Sequence, residues 1–269
     1  MSGGAKGIER AIRKANEEGR PAIVAFVTAG FPTKEKFVEL LGPLTEAADV
    51  VEIGVPFTDP MADGLTIQRS SQTALKNGVT LNWILETVGS REWAAPVLLM
   101  SYLNPLLAMG LDTLADRAAS SHVDGFICPD LPFEESAVLR DELKRHDLAL
   151  VQLVTPVTPD ERLKMLCKAS RGFVYAVTVA GITGGTEAGA PMGDRALDLD
   201  DVGAYLQRVR ALSDLPVCAG FGIRGPEQVA ALGKHAEGAV VGSRLIEIIE
   251  AGEDPVAFVR SLRGTEDSA

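Results

Sequence analysis

Short apolar runs rich in β-branched residues alternate along this chain with longer stretches in which apolar residues return every three or four positions. The first run covers residues 22–28. Gly30-Phe31-Pro32 breaks it, and a stretch from Thr33 then places Phe37, Leu40, Leu41 and Leu44 on one helical face. Further runs at 49–54, 96–102, 125–128, 148–153, 172–177, 216–219 and 238–241 have the length and composition of buried strands. Helical periodicity predicts helices at 8–16, 66–75, 81–88, 111–119, 134–145, 199–212, 244–249 and 255–262, and one from Pro226. Another opens at Thr158-Pro159-Asp160-Glu161, which combines capping-box spacing with proline in the first turn.

Eight strand–helix units in strict alternation favour a parallel sheet closed on itself, the (β/α)8 or TIM-barrel architecture. The 269 residues suit one such domain spanning the whole chain. The helix within residues 1–20 is expected to close the barrel floor, and residues 264–269 to form a frayed tail. No linker, low-complexity tract or repeat beyond the βα unit interrupts the pattern.

Composition narrows the function. A net charge of −11 disfavours a general nucleic-acid binder, because phosphate backbones need a basic face. A small anion can still be held locally by backbone amides and helix ends. Cys128, Cys167 and Cys218 are odd in number and form no CxxC, which suits buried, reduced thiols in a cytoplasm. The first twenty residues are polar and charged, so no secretory leader is expected, and no apolar run is long enough for a membrane span. His122, His146 and His235 lie away from strand ends and from one another, so no metal is expected.

Two clusters of residues suggest chemistry. Gly220-Phe221-Gly222-Ile223 follows the seventh strand, and Gly242-Ser243 follows the eighth and opens a short helix. With Gly184 after the sixth strand, they supply amides and close backbone approach where barrels of this kind often bind phosphate. Across the barrel, Glu52 sits inside an apolar strand, and Asp63 lies in the turn-rich loop that follows, with Asp59-Pro60, Phe57 and Met61. A carboxylate in such a strand is either paired with a cation or kept at a raised pKa for acid–base work. Tyr102, Asn104 and Asp130 are further polar groups at the same rim.

The strings VEIGVPFTDPMADG, AFVTAGFP, SYLNP, PDLPFEES, AGITGG, GFGIRGPEQV and VVGSRLIEII resemble, in order and nearly end to end, the tryptophan synthase alpha chain family. The resemblance implies a retro-aldol lyase that splits indole-3-glycerol phosphate into indole and glyceraldehyde 3-phosphate, with no metal or organic cofactor of its own. By motif match, Glu52 is the acid–base residue, and an ionised Asp63 faces the indole N–H. Tyr175, Phe26, Met100 and Ile127 border the indole. Gly184, Gly222, Gly242 and Ser243 hold phosphate beside Phe221, and Thr183 closes over Asp63. The resemblance also implies an α2β2 complex with a pyridoxal-phosphate beta chain, facing Asp59, Pro60, Tyr102 and Asn104. Leu65 and Val179 depart from the family pattern at the second and sixth loops. An indole-glycerol phosphate synthase would need lysines at the strand ends, which this chain lacks.

Overall fold

The computed structural model describes residues 3–178, 199–220 and 222–264. Helix α1 (Gly4–Glu17) precedes β1 (Ala22–Thr28), α2 (Lys34–Ala47) and β2 (Val50–Gly54). Two helices, α3 (Leu65–Lys76) and α4 (Leu81–Val88), lead to β3 (Val97–Met100), and two more, α5 (Leu103–Met109) and α6 (Leu111–Ser120), to β4 (Gly125–Ile127). A 3-10 turn (Phe133–Glu135) and α7 (Ala137–Arg145) come next, then β5 (Ala149–Val154), α8 (Asp160–Ala169) and β6 (Val174–Val177). The chain continues through α9 (Leu199–Ala211), β7 (Val217–Gly220), α10 (Pro226–Leu232), β8 (Gly238–Val241), α11 (Ser243–Ala251) and α12 (Pro255–Ser261). Each strand pairs in parallel with the next, and β8 pairs with β1, so the eight strands form a closed barrel.

Alternation along each strand sorts the core into two layers. Ile23, Ala25, Val51, Ile53, Val97 and Leu99 face outward and pack with Phe37, Leu41, Leu44, Ile84 and Leu85 of the surrounding helices. Val24, Val50, Leu98, Ala149, Phe173 and Cys218 face inward and meet Ala5, Ile8, Ile12 and Ala15 of α1. The apolar stripe of the N-terminal helix thus packs against the inward-facing strand residues. Buried Asp124 secures it by accepting from Gly4 N at 2.8 Å while also accepting from Val97 N at 2.9 Å. Asp49 ties the first strand to the end of the chain. It accepts from Ile23 N at 2.8 Å, from Arg20 at 2.7 Å and from Arg263 at 3.0 Å.

Some expected boundaries shift for local reasons. The runs at 96–102, 172–177 and 216–219 lose their first residues, because Pro96 and Pro216 have no N–H for the ladder and Gly172 has φ +90°. The third strand ends at Met100, and Tyr102 instead is the N-cap of α5, a helix absent from the elements expected above. Pro105 falls in the first turn, where its missing N–H removes no intrahelical bond. Asp130 Oδ1 caps that helix from the next strand end, accepting from Leu103 N at 2.9 Å. The capping box at Thr158 does not form. Its hydroxyl accepts from Thr155 N at 3.0 Å within the preceding turn, and Pro159 becomes the N-cap. The helix expected at 134–145 splits at Ser136 into the 3-10 turn and α7.

If α1 is a true part of the core, Ile8→Ala removes a wholly buried side chain and costs about 2–5 kcal/mol of unfolding free energy. Urea unfolding checks this, and a loss below about 1 kcal/mol would show that the floor helix is dispensable.

Candidate active site

Glu52 occupies the middle of β2, in register with Phe26 on one side and Leu98 on the other. Strand alternation turns it inward with Val50, at a level above the apolar floor. It is 1% exposed, and its Oε2 has no hydrogen-bond partner. Among the described residues no lysine or arginine pairs with it. Of the two readings open for a carboxylate in an apolar strand, the described residues offer no cation pair and fit the raised pKa. Burial, and secondarily the negative charge of Asp63, push it up to about 8.

Asp63 stands at the end of a loop folded on itself. Met61 N donates to Asp59 O at 2.9 Å, and Asp63 N donates to Pro60 O at 3.2 Å. From α3, Gln68 Nε2 donates to the Asp63 carbonyl at 2.8 Å. Tyr102 braces the loop from within. Its ring stacks on Phe57 at 5.1 Å, its oxygen accepts from Ala62 N at 2.8 Å, and its hydroxyl donates to the Asp63 carboxylate. Burial raises Asp63 to about 6, and the tyrosine hydrogen bond opposes that rise. Burial also lifts Tyr102 to about 12, so its hydroxyl remains a donor. The two acids are thus separated in proton affinity, Glu52 above neutrality and Asp63 below it.

The neighbouring interior is apolar. Phe26 and Ile127 are buried, and Met100 and Tyr175 are half-buried at the same end of their strands. Burial, with the negative charge of Glu52 second, keeps the Tyr175 phenol well above its ordinary pKa and therefore neutral. Two glycines make this packing possible, Gly54, which the sequence reading gave no role, and Gly220, which it placed with the phosphate segment. A Cβ on Gly54 would lie 2.6 Å from Phe26 Cζ, and one on Gly220 would lie 2.6 Å from the Tyr175 hydroxyl. Only the placement of glycine after an apolar strand hints at them.

At the opposite side, Gly222 adopts φ +62°, and among the described residues no atom beyond its chain neighbours lies within 4 Å of where a Cβ would stand. Gly242 is the N-cap of α11 and gives no side-chain cap, so the first amides of that helix are left for an anion. Ser243 is the first residue of α11, which starts one residue before and ends two after the expected 244–249. Thr183, Gly184, Phe221 and Val179 lie outside the described residues. Of the residues expected at a partner surface, Asp59 and Asn104 are exposed, Pro60 is half-buried and Tyr102 is 4% exposed. Met61 and Leu107 add exposed apolar surface on the same loop and on α5. Leu65 is the first residue of α3 and is exposed.

The model of the family described as tryptophan synthase alpha chain matches residues 12–265. The tryptophan synthase alpha chain of Solidesulfovibrio magneticus is 42% identical over 256 residues, 94% of this chain and 96% of that one. That of Nitratidesulfovibrio vulgaris is 40% identical over 257 residues, again 94% and 96%. A crystal structure of tryptophan synthase from M. tuberculosis in an aminoacrylate-bound form contains a chain similar to this one. The TM-score is 0.84 at 30% identity, covering 95% of this chain and 97% of that chain.

Two outcomes follow from the geometry. Tyr102→Phe removes the hydrogen bond that holds Asp63 down, so the Asp63 carboxyl titrates above its present value of about 6, as carboxyl NMR would register. No upward movement would separate the two residues. Glu52 governs stability as well. Between its ordinary value of 4.5 and about 8, the folded state keeps a proton that the unfolded state has lost, so stability falls as pH rises through that window. Glu52→Gln removes this slope and is more stable than the parent at pH 8 by roughly 1–3 kcal/mol in urea unfolding. Equal stability of the two at pH 8 would mean the carboxylate is solvated.

Proposed function

The chain belongs to the tryptophan synthase alpha chain family, whose members are carbon–carbon lyases of tryptophan biosynthesis that cleave indole-3-glycerol phosphate, and we propose that Glu52 and Asp63 carry that cleavage here. The observation that carries the assignment is the buried carboxyl of Glu52 in the middle of β2, unpaired among the described residues, with a second acid of lower pKa near it.

The bond to be broken joins an indole ring carbon to the glycerol chain, and it leaves its electron pair with the ring. The ring can take that pair only after the carbon that bears the chain gains a proton. Glu52, protonated at neutral pH, delivers it. Protonation leaves a positive charge spread toward the ring nitrogen, and ionised Asp63 accepts the N–H hydrogen bond and stabilises that charge. Glu52, now a carboxylate, takes the proton of the adjacent hydroxyl as the carbon–carbon bond breaks. The products are indole and an aldehyde that retains the phosphate, and Glu52 has its proton back. Each well-placed proton transfer contributes about 10²–10⁴-fold.

Phe26, Met100, Ile127 and Tyr175 would wall the aromatic ring. The amides at Gly222, Gly242 and Ser243 would hold the phosphate, with Gly184, Thr183 and Phe221 completing the cradle and the closure. A beta chain is the partner this reading implies, in an α2β2 assembly. Exposed Asp59, Asn104, Met61 and Leu107 offer it a mixed apolar and polar rim beside the mouth. A reducing cytoplasmic setting belongs to the same proposal and is consistent with three free, buried cysteines.

The active free enzyme has Glu52 protonated and Asp63 ionised. The profile of kcat/KM against pH is therefore a bell, falling below about 6 and above about 8. Glu52→Gln and Asp63→Asn each lower kcat by about 10²–10⁴-fold while leaving glycerol 3-phosphate affinity intact. Indole release followed across pH 5–9 reads both effects. Near-parental turnover in either variant would take that residue out of the mechanism.

A further inference from the structure

We infer that Arg224 and Arg244 select the doubly charged phosphate end of the substrate, with Glu247 holding both guanidiniums at the rim of the cradle. The inference rests on the phosphate site proposed above and adds to it two side chains where the cradle otherwise consists of backbone amides.

Arg224 follows Gly222 by two residues, in the loop between β7 and α10, and its own N–H is fixed by Gln228 Oε1 at 2.6 Å. Arg244 follows Ser243 directly, in the first turn of α11. Both side chains converge on one oxygen. Glu247 Oε2 accepts from Arg224 Nη2 at 3.0 Å and from Arg244 Nη1 at 3.3 Å. This shared carboxylate shows that the two phosphate-binding segments lie side by side, with their cationic residues together. Within this trio two positive charges meet one negative charge beside the first turns of α11, whose N-terminus already favours an anion.

The placement matters because the rest of the chain repels such a ligand. Net charge is −11, and the two acids of the site face the substrate's other end. A dianion approaching this protein meets an unfavourable field except where local cations reverse it. Arg224 is 57% exposed and Arg244 32%, so their effect is long-range and screened by salt. It acts on capture of the phosphate and leaves the chemistry at Glu52 to the other end.

The test compares indole-3-glycerol phosphate with unphosphorylated indole-3-glycerol, using the full chain. At low ionic strength, the Arg224→Gln/Arg244→Gln double variant raises KM for the phosphorylated substrate by about 3–10-fold, with the loss on KM rather than kcat. The effect shrinks at 0.5 M salt and is much smaller for the neutral substrate. Glu247→Gln keeps both cations and adds a unit of local positive charge, so its KM is equal to or below the parent's. Arg145→Gln, the same charge change on α7, leaves KM where it is. An unchanged KM in the double variant, an equal loss on the neutral substrate, or a KM for Glu247→Gln raised as far as the double variant's would each overturn the inference. A parent chain that cleaves the phosphorylated substrate no better than the neutral one would instead overturn the phosphate site itself.

Discussion

A carboxyl group held out of water, with no cation beside it among the described residues, is the constraint around which the mouth of this barrel is organised. Had an arginine stood beside Glu52, the side chain would be a permanent anion and no use as a proton donor. Its neighbours on the interior face, Phe26, Leu98, Met100 and Ile127, instead give it nothing to share its charge with. The barrel is the right frame for such a group. Parallel strands buried on both sides fix its depth, and the helices outside them carry the stability that the buried acid does not supply.

The two ends of the site are built from different materials. The acid end uses side chains, one on a strand and one on a loop that depends on the Tyr102 hydroxyl and the Gln68 amide for its shape. The proposed anion end is backbone, at Gly222 and at the start of α11. Phe26 touches both. Its ring fills the space left by Gly54 on the catalytic strand and lies against Gly242 at the head of α11, where a Cβ would stand 3.4 Å away. One aromatic ring in close-packed contact thus lies between the strand of Glu52 and the proposed anion cradle. A rigid spacer of this kind favours substrates of one length.

The legibility of this chain followed the strength of its local signals. The eight strands could be read because each is an apolar run with no helical competitor, and the floor helix because Ile8 and Ile12 recur at helical spacing. Helix α5 could not, since Pro105 looks the same in a loop and in a first turn, and the group that caps it, Asp130, is distant in sequence. Thr158 failed in the opposite way. A good capping pattern was present, but the hydroxyl found a nearer donor in its own turn. At the site, Glu52 and Asp63 stood out as acids in unusual surroundings. Tyr102 could be placed at the rim, but its inward turn onto Phe57 and Ala62 is a tertiary fact that no spacing encodes. Arg224, Arg244 and Glu247 meet only because the fold sets the loop after β7 against α11.

Closure of the ring has a temporal side. The first strand is hydrogen-bonded to the last, with Val24 opposite Val240 and Ala25 opposite Val241. A nascent chain still missing β8 carries β1 with one bare edge, and Phe26 at that edge without its partner at Gly242. Neither half of the mouth has its final shape until the eighth strand docks. A chain lacking β8 leaves the edges of β1 and β7 unpaired, the exposed backbone that most readily joins a neighbour's strand.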